Sequence, residues 1–363
     1  MRVLVVASSP AWTPVTRLMA TLAAGLSSRG DVVALACASR SESEQAIERT
    51  WPRLTVRALS GTGWFRQGMS LRGIVTALRP DALLVGSVAD AVLAAFALGK
   101  RGGIVRRIAA EERGRQAHED EALPWRARFA LARATIMPWG DTALALSWPV
   151  AAPAAATEPM PADVHRLPVL PPHLVIVPAQ PHDDRTANAL RAAAHLRTRH
   201  PDLRITLAGN VAALQATRLH AASLDLTTCL DVEPLDVLLH HELPHASAVW
   251  VAEDGDAGAI AALAAMQQGV PVVVPQDCAF GELVAPAITG YTVPTDGGAA
   301  IVSDLARLLS DSEMRRTMGE AAQARATRVF AWDAFVDTAA TLLARASGVP
   351  ASRITRRPSL TPA

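Results

Sequence analysis

The chain has 363 residues, half of them apolar and only 19% charged, and a formal net charge of +1. That length predicts two to three domains, and the composition excludes a disordered chain, a collagen-like repeat (22 Gly) and a disulfide scaffold (3 Cys). The near-neutral total hides an asymmetry: residues 1–150 hold 19 basic and 12 acidic side chains, the remainder 16 and 22, so no nucleic-acid partner is expected, while the first half is suited to a lipid phosphate or a membrane face.

Val3–Ala7 is a β-branched run ended by Ser8-Ser9-Pro10 and reads as a buried parallel strand. The run is too short for the core of a secretory signal. Thr16 to Arg29 has helical spacing and Gly30 stops it. Strands follow at Asp31–Cys37, Leu54–Leu59, Ala82–Val85 and Ile104–Ile108, with helices at Leu71–Leu78 and Ala89–Leu98. The most apolar long stretch, Ala82 to Leu98, is interrupted by Gly86 and Asp90 and is not read as a membrane span. A helix over 121–133 and a strand at Ala143–Leu146 complete an alternating βα domain over residues 1–150. Seven prolines between Pro149 and Pro172 mark a linker, placed at 151–172.

A second alternating series occupies residues 173–330. Strands are expected at Leu174–Val177, Leu203–Ala208, Ala248–Ala252 and Val270–Val274. Helices are expected at Thr186–Arg199, Leu235–His241, Ala257–Gln268, Ala299–Leu309 and Ser312–Thr327, with a last helix over 331–347. The tail over 348–363 has no periodicity and reads as flexible. The fold class is therefore α/β, two doubly wound Rossmann-like domains, whose ligands belong at the carboxyl ends of the strands and in the cleft between the domains.

Other residues bound the chemistry. Lys100 is the only lysine, which excludes a Schiff-base or clamp role for any other, and Tyr291 the only tyrosine. With so much Ala and Arg, the pattern fits a GC-rich bacterial genome. Cys37, Cys229 and Cys278 are far apart and lack metal-ligand spacing. Cys37 and Cys229, in apolar surroundings, read as buried free thiols of a reducing cytoplasm. His240, His241 and His245 with Glu242 have neither the spacing nor the ligand number of a metal site, and His118–Glu121 reads as a charged loop.

Three ordered blocks carry a resemblance. Leu263-Ala-Ala-Met266-Gln-Gln-Gly269-Val-Pro271-Val-Val-Val274-Pro275 is the first; Glu282-Leu-Val284 with Thr289-Gly290-Tyr291-Thr-Val293-Pro294 is the second. The third is Asp311-Ser-Glu-Met314-Arg315-Arg316-Thr-Met318-Gly319 followed by Arg325, Phe330 and Trp332. They resemble the retaining glycosyltransferases of family 4, which have the GT-B fold. The resemblance implies transfer of a sugar from a nucleotide diphosphate to a glycan or lipid-linked acceptor with retention, without a metal or other cofactor. It also implies that the last helix crosses back to the first domain. The free thiols and the basic first half add the expectation of a cytoplasmic protein with peripheral contact to the inner membrane face through its N-terminal domain.

Carried over residue by residue, the resemblance makes Asp256, Glu253, Gly258, Arg185, Gly209 and Glu282 the donor-binding candidates. Arg106, Arg107 and Thr13 are the acceptor-side candidates, and no residue qualifies as general base. Asp256 stands at the family's first donor carboxylate, with Glu253 and Asp254 as neighbours able to substitute; Ala264 stands at the second, which holds the ribose. Ala179 and Asp184 stand where an Arg and a Lys grip the diphosphate, with Arg185 one step away. Ser8–Thr13 replaces the Gly-rich first loop, and Gly86, Ser87 and Ala109 lie where a first-domain His is expected. These departures keep a second reading open, a non-catalytic GT-B scaffold or partner subunit that has lost donor binding. A nucleotide-sugar epimerase would need acid and base groups that these positions lack.

Overall fold

The computed structural model describes residues 1–98, 104–106, 171–179, 183–209, 214–235, 243–278, 280–294 and 300–347. The expected helix over 121–133, the strand at Ala143–Leu146, nearly all of the linker, the tail, most of the helix expected at Leu235–His241, and Arg107, His118–Glu121 and His240–Glu242 lie outside them. The described residues form two compact units, one of residues 1–106 with 333–347 and one of residues 171–332.

In the first unit five parallel strands, β1 (Arg2–Ala7), β2 (Val32–Ala38), β3 (Thr55–Leu59), β4 (Ala82–Val85) and β5 (Ile104–Arg106), lie in the order β3-β2-β1-β4-β5. Helices α1 (Pro14–Ser28), α2 (Glu42–Thr50), α3 (Trp64–Leu78) and α4 (Val88–Leu98) connect them. The composition that marks β1 as buried does so because both faces are covered: Leu4 and Val6 join one core with Leu71 and Val75 of α3 and Leu93 and Ala94 of α4. Gly30, at φ 94°, ends α1 in the left-handed conformation, with its amide on Ser27 and that of Asp31 on Leu26. Helix α2 escapes the sequence pattern, and α3 begins seven residues before the expected Leu71, because its first two turns expose apolar side chains.

The second unit has six parallel strands: β6 (His173–Val177), β7 (Arg204–Gly209), β8 (Leu230–Pro234), β9 (Ala248–Val251), β10 (Val272–Pro275) and β11 (Gly290–Val293). Their order is β11-β10-β9-β6-β7-β8. Helices α5 (Asp184–Arg199), α6 (Leu214–Ser223), α7 (Asp256–Gln267), α8 (Ala300–Ser310) and α9 (Ser312–Val329) belong to it. Alternate residues of β6 serve opposite faces, Leu174 and Ile176 packing with α5 and α8, Val175 and Val177 with α7. Strands β8 and β11 and helix α6 are additions to the sequence reading; β8, for example, is only half-buried and ends in Pro234, so it lacks the apolar run that marks the others.

The last helix, α10 (Trp332–Ser347), buries Phe335, Val336, Ala339 and Leu343, and its Asp337 pairs with Arg29 at the end of α1. Among the described residues no helix is long and apolar enough to cross a membrane.

Candidate functional site

A parallel sheet puts every strand's carboxyl end at one edge, and a ligand crevice opens where the order reverses direction along the chain. In the second unit that point lies between β6 and β9, the pair joined from Leu174↔Ala248 to Val177↔Val251. Three connections meet there. Pro178 and Ala179 leave β6, and Asp183 opens α5 by accepting the Arg185 amide at 2.7 Å. The buried Thr186 hydroxyl accepts the Ala179 amide at 2.9 Å and folds the strand exit onto the helix start. Ala252 to Gly255 connect β9 to α7, and Gln276 to Val284 follow β10.

Arg185 ties these connections together. Its guanidinium reaches Asp254 at 3.1 Å and Asp277 at 3.0 Å, and its side chain is only 19% exposed. Burial alone would lower its pKa, but the hydrogen bonds to Asp277 and Asp254 and their charges hold it above the usual arginine value. The cation is permanently charged, and two carboxylates balance it. Asp183, Asp184, Glu253, Asp256 and Glu282 add further acids along the same edge.

The other cationic device at this edge is backbone. Helix α7 starts at this edge with Gly255, which has no side chain, as its cap, and so brings the positive end of its dipole to the same edge. Asp256 is the first residue of that helix, not its cap. The amides of Ala252 and Glu253 both donate to the Val177 carbonyl, at 2.8 and 3.2 Å, which fixes the connection against β6. Gly258 is required by contact, because a Cβ there would lie 2.4 Å from the Glu253 carbonyl oxygen. Gly209 ends β7, on the other side of β6, where a Cβ would meet Leu214 at an ordinary 3.5 Å.

Glu282 is exposed on a short turn, Gly281–Leu283, and Arg325 of α9 holds that turn by donating to the carbonyls of Glu282 at 2.7 Å and Leu283 at 2.8 Å. Cys278 sits beside Asp277, and burial pushes its thiol up to about 12, so it is no thiolate nucleophile at neutral pH. Ala264 is 5% exposed and packs in the core with Leu263 and Met266, so α7 offers no polar group where the resemblance expects a carboxylate.

The acceptor-side candidates belong to the first unit. Thr13 caps α1, accepting the Thr16 amide at 3.2 Å, and Arg106 ends β5. Sequence reasoning passed over Asp90 there. It is 4% exposed, and its two oxygens accept the Ser8 amide and the Ser87 hydroxyl, each at 2.8 Å. It thereby ties the exit of β1 to the start of α4, at the β1/β4 reversal of the first sheet. Burial holds its carboxyl above the ordinary value, against the lowering effect of the bonds from Ser8 and Ser87. The available signal was one acid in an otherwise apolar helix; the pairing of Asp254 and Asp277 with Arg185 had no signal, since the three lie on separate connections. Cys229 is half-buried, not buried as expected, with its thiol donating to the Leu226 carbonyl at 3.2 Å, because the short turn carrying it covers only one side. Among the described residues no group of three or more His, Cys, Asp or Glu could hold a metal ion.

Comparison with known proteins agrees with this architecture. Residues 164–325 match the family model of glycosyl transferases group 1, a little under half of the chain. No curated protein sequence matches. Among solved structures, a sucrose-phosphate synthase from Thermosynechococcus elongatus superposes with a TM-score of 0.70 at 13% identity, over 96% of this chain and 100% of that one. HepE from Anabaena, in complex with UDP-glucose, gives 0.71 at 14%, over 94% and 99%. A putative UDP-N-acetylglucosamine 2-epimerase from Listeria monocytogenes gives 0.58 at 16%, over 91% and 95%. The chain has the GT-B fold, and the part of it that matches the group 1 glycosyltransferase model holds the Arg185 switch point.

Proposed function

We propose that the protein transfers a sugar from a nucleotide diphosphate to a glycan or lipid-linked acceptor, with retention of configuration, on the cytoplasmic side of a membrane. The observation that carries this reading is the α7 N-terminus, placed at a sheet reversal beside Arg185, which pairs with Asp254. A departing diphosphate accumulates negative charge, and oriented amides with a fixed guanidinium stabilise that charge without reorganising. The group 1 match over residues 164–325 and the UDP-glucose bound by HepE support the donor class.

In this reading the first-turn amides of α7 and Arg185 take the diphosphate, Asp256 and Glu253 accept sugar hydroxyls, and Gly258 keeps the connection close enough for both. Gly209 and the Glu282 turn border the site on the neighbouring connections. Arg106 and Thr13 belong to the acceptor side with Arg107.

Two observations favour a second reading, a GT-B scaffold that no longer binds a donor: the double neutralisation of Arg185 and the buried Ala264 in the ribose position. Titration calorimetry with UDP, GDP, ADP and dTDP and their sugars separates the two. The transferase reading expects saturable binding of one nucleotide, weakened roughly tenfold or more in Arg185→Gln, the usual loss on removing a charged hydrogen-bond partner. Absence of heat with every nucleotide at millimolar concentration overturns it in favour of the scaffold.

A further inference from the structure

The first unit carries a cluster of exposed large apolar side chains at the start of α3. Trp64 and Phe65 are each 55% exposed and Met69 is 48% exposed, within the first two turns of one helix. The cluster is ordered, not incidental: the Trp64 and Phe65 rings lie 5.9 Å apart, and both pack on Phe96 of α4, at 6.1 and 5.8 Å. The approach is close because Gly68 lies beneath Phe96, where a Cβ would come within 2.8 Å of the ring. Only 4% of the residues are aromatic, so three rings gathered at one surface point stand out among the described residues. Singly exposed apolar residues need no explanation, whereas a contiguous patch does.

The charge carried by the same helix points to the occupant. Helix α3 holds two arginines, Arg66 and Arg72, and no Asp or Glu, and both are exposed. Phe65, Met69 and Arg72 follow one another at helical spacing, so a stripe that is apolar at the helix start becomes basic one turn later. The N-terminus of α3 adds to this. Its cap is Gly63, at φ 88°, with no side-chain hydrogen bond and no acid in the first turn, which leaves the positive helix end uncompensated in water. Apolar rings flanked by guanidinium groups and an open helix end match a layer of acyl chains beneath anionic phosphates.

We infer that the start of α3, Trp64, Phe65 and Met69 with Arg66 and Arg72, docks on the surface of a bilayer containing anionic phospholipid. The rings enter the headgroup–acyl boundary, and the arginines lie at phosphate level with their stems along the apolar face. A peripheral site of this kind holds by two weak signals together, apolar insertion and charge, so removing either one is enough to release it. The inference is independent of the sugar-transfer reading, because it rests on the surface of the first unit alone.

Co-sedimentation of the full chain with vesicles tests it, comparing phosphatidylcholine alone with phosphatidylcholine mixed with phosphatidylglycerol. Binding to the mixed vesicles is expected, weakening as salt is raised. Arg66→Gln with Arg72→Gln should weaken it by roughly fivefold for each arginine. Phe65→Ser with Met69→Ser should release the protein with only a small drop in melting temperature, since both side chains are about half exposed. Leu219→Ser, which removes an isolated residue 74% exposed on the second unit, should leave binding intact. Failure of the wild-type chain to sediment with the anionic vesicles overturns the inference. So does binding that survives Phe65→Ser with Met69→Ser, or a soluble dimer that the same pair of substitutions dissociates while neither form binds vesicles.

Discussion

Replacing Asp277 with Asn asks whether the carboxylates on Arg185 compete with a diphosphate for the same cation. The guanidinium holds Asp254 and Asp277 at 3.1 and 3.0 Å. A phosphate oxygen bonded to its open side would lie on the order of 6 Å from the Asp277 carboxylate. Coulomb's law then gives a repulsion of roughly 0.7 to 3 kcal/mol per phosphate charge between the dielectric of water and that of a protein surface. Asp277 is 49% exposed, so solvent and salt screening favours the lower part of that range, about 1 kcal/mol per charge. For a diphosphate with two charges near the site the gain is about 2 kcal/mol, roughly thirtyfold in affinity. Asparagine keeps an acceptor for Arg185, and loss of a half-exposed ion pair costs stability no more than about 1 kcal/mol. Calorimetric titration of wild type and Asp277→Asn with the same nucleotide, at low and raised salt, reads the difference directly. Tighter binding in the variant, shrinking with salt, is expected. Equal or weaker binding would refute the reasoning and show that Asp277 orients Arg185 instead of competing for it.

Asp90 and the glycines give two further tests. Asp90→Ala should destabilise the first unit by about 2 to 3 kcal/mol, since the Ser8 amide and Ser87 hydroxyl lose their acceptor. Asp90→Asn keeps an acceptor for Ser8 and a partner for Ser87 and should match or exceed wild type at neutral pH. Burial raises the native carboxyl above 3.8, so between that value and its native value the folded state binds more protons than the unfolded one. Wild-type stability therefore falls as pH rises through this window, and the advantage of Asp90→Asn should shrink on acidification, as denaturant melts across pH will show. Gly319→Ala would place a Cβ 1.9 Å from the Gly269 carbonyl oxygen and should cost about 3 kcal/mol or more by forcing α9 off α7. In contrast Gly73→Ala, on an exposed turn of α3 with nothing within 4 Å, should gain about 0.5 to 1 kcal/mol. Thermal melts of the pair separate a packing glycine from a dispensable one.

Where the sequence is legible, one physical signal dominates. The strands covered on both faces, such as β1, β4 and β6, are near-continuous apolar runs, and the chain shows them within a residue or two. Strand β8, helix α2 and the first two turns of α3 escape because burial does not pattern them. The site is less legible for a related reason. Arg185 is visible as a lone cation near the expected clamp, but its partners Asp254 and Asp277 are 69 and 92 positions away. Side chains on separate connections meet only through the strand order, which no local spacing encodes.

The same distinction explains how family-like blocks coexist with other residues at the expected donor positions. Gly269, at φ 70°, closes α7 with its amide on Met266 and that of Val270 on Ala265, and its carbonyl receives Gly319 of α9. Asp311 caps α9 through the amides of Glu313 and Met314, and Arg315 holds the last carbonyls of α8 at Leu308 and Leu309. Gly290 lets β11 approach β10, where a Cβ would lie 1.9 Å from the Val272 carbonyl, and Arg325 clamps the turn at Glu282 and stacks on Phe330. Every one of these contacts is a close backbone approach, a side-chain bond to the backbone or ring packing within the second unit, so each serves the closing of the second sheet, whatever ligand it meets. The positions that have departed, Ala179, Asp184 and Ala264, carry no such contact that only the family's residue could make. Ala179 needs only its amide, and Ala264 only a small apolar side chain in the core. Blocks that build the fold and residues proposed to read the ligand are thus separable in this chain, and it is the second set that calorimetry on Arg185 and Asp277 interrogates.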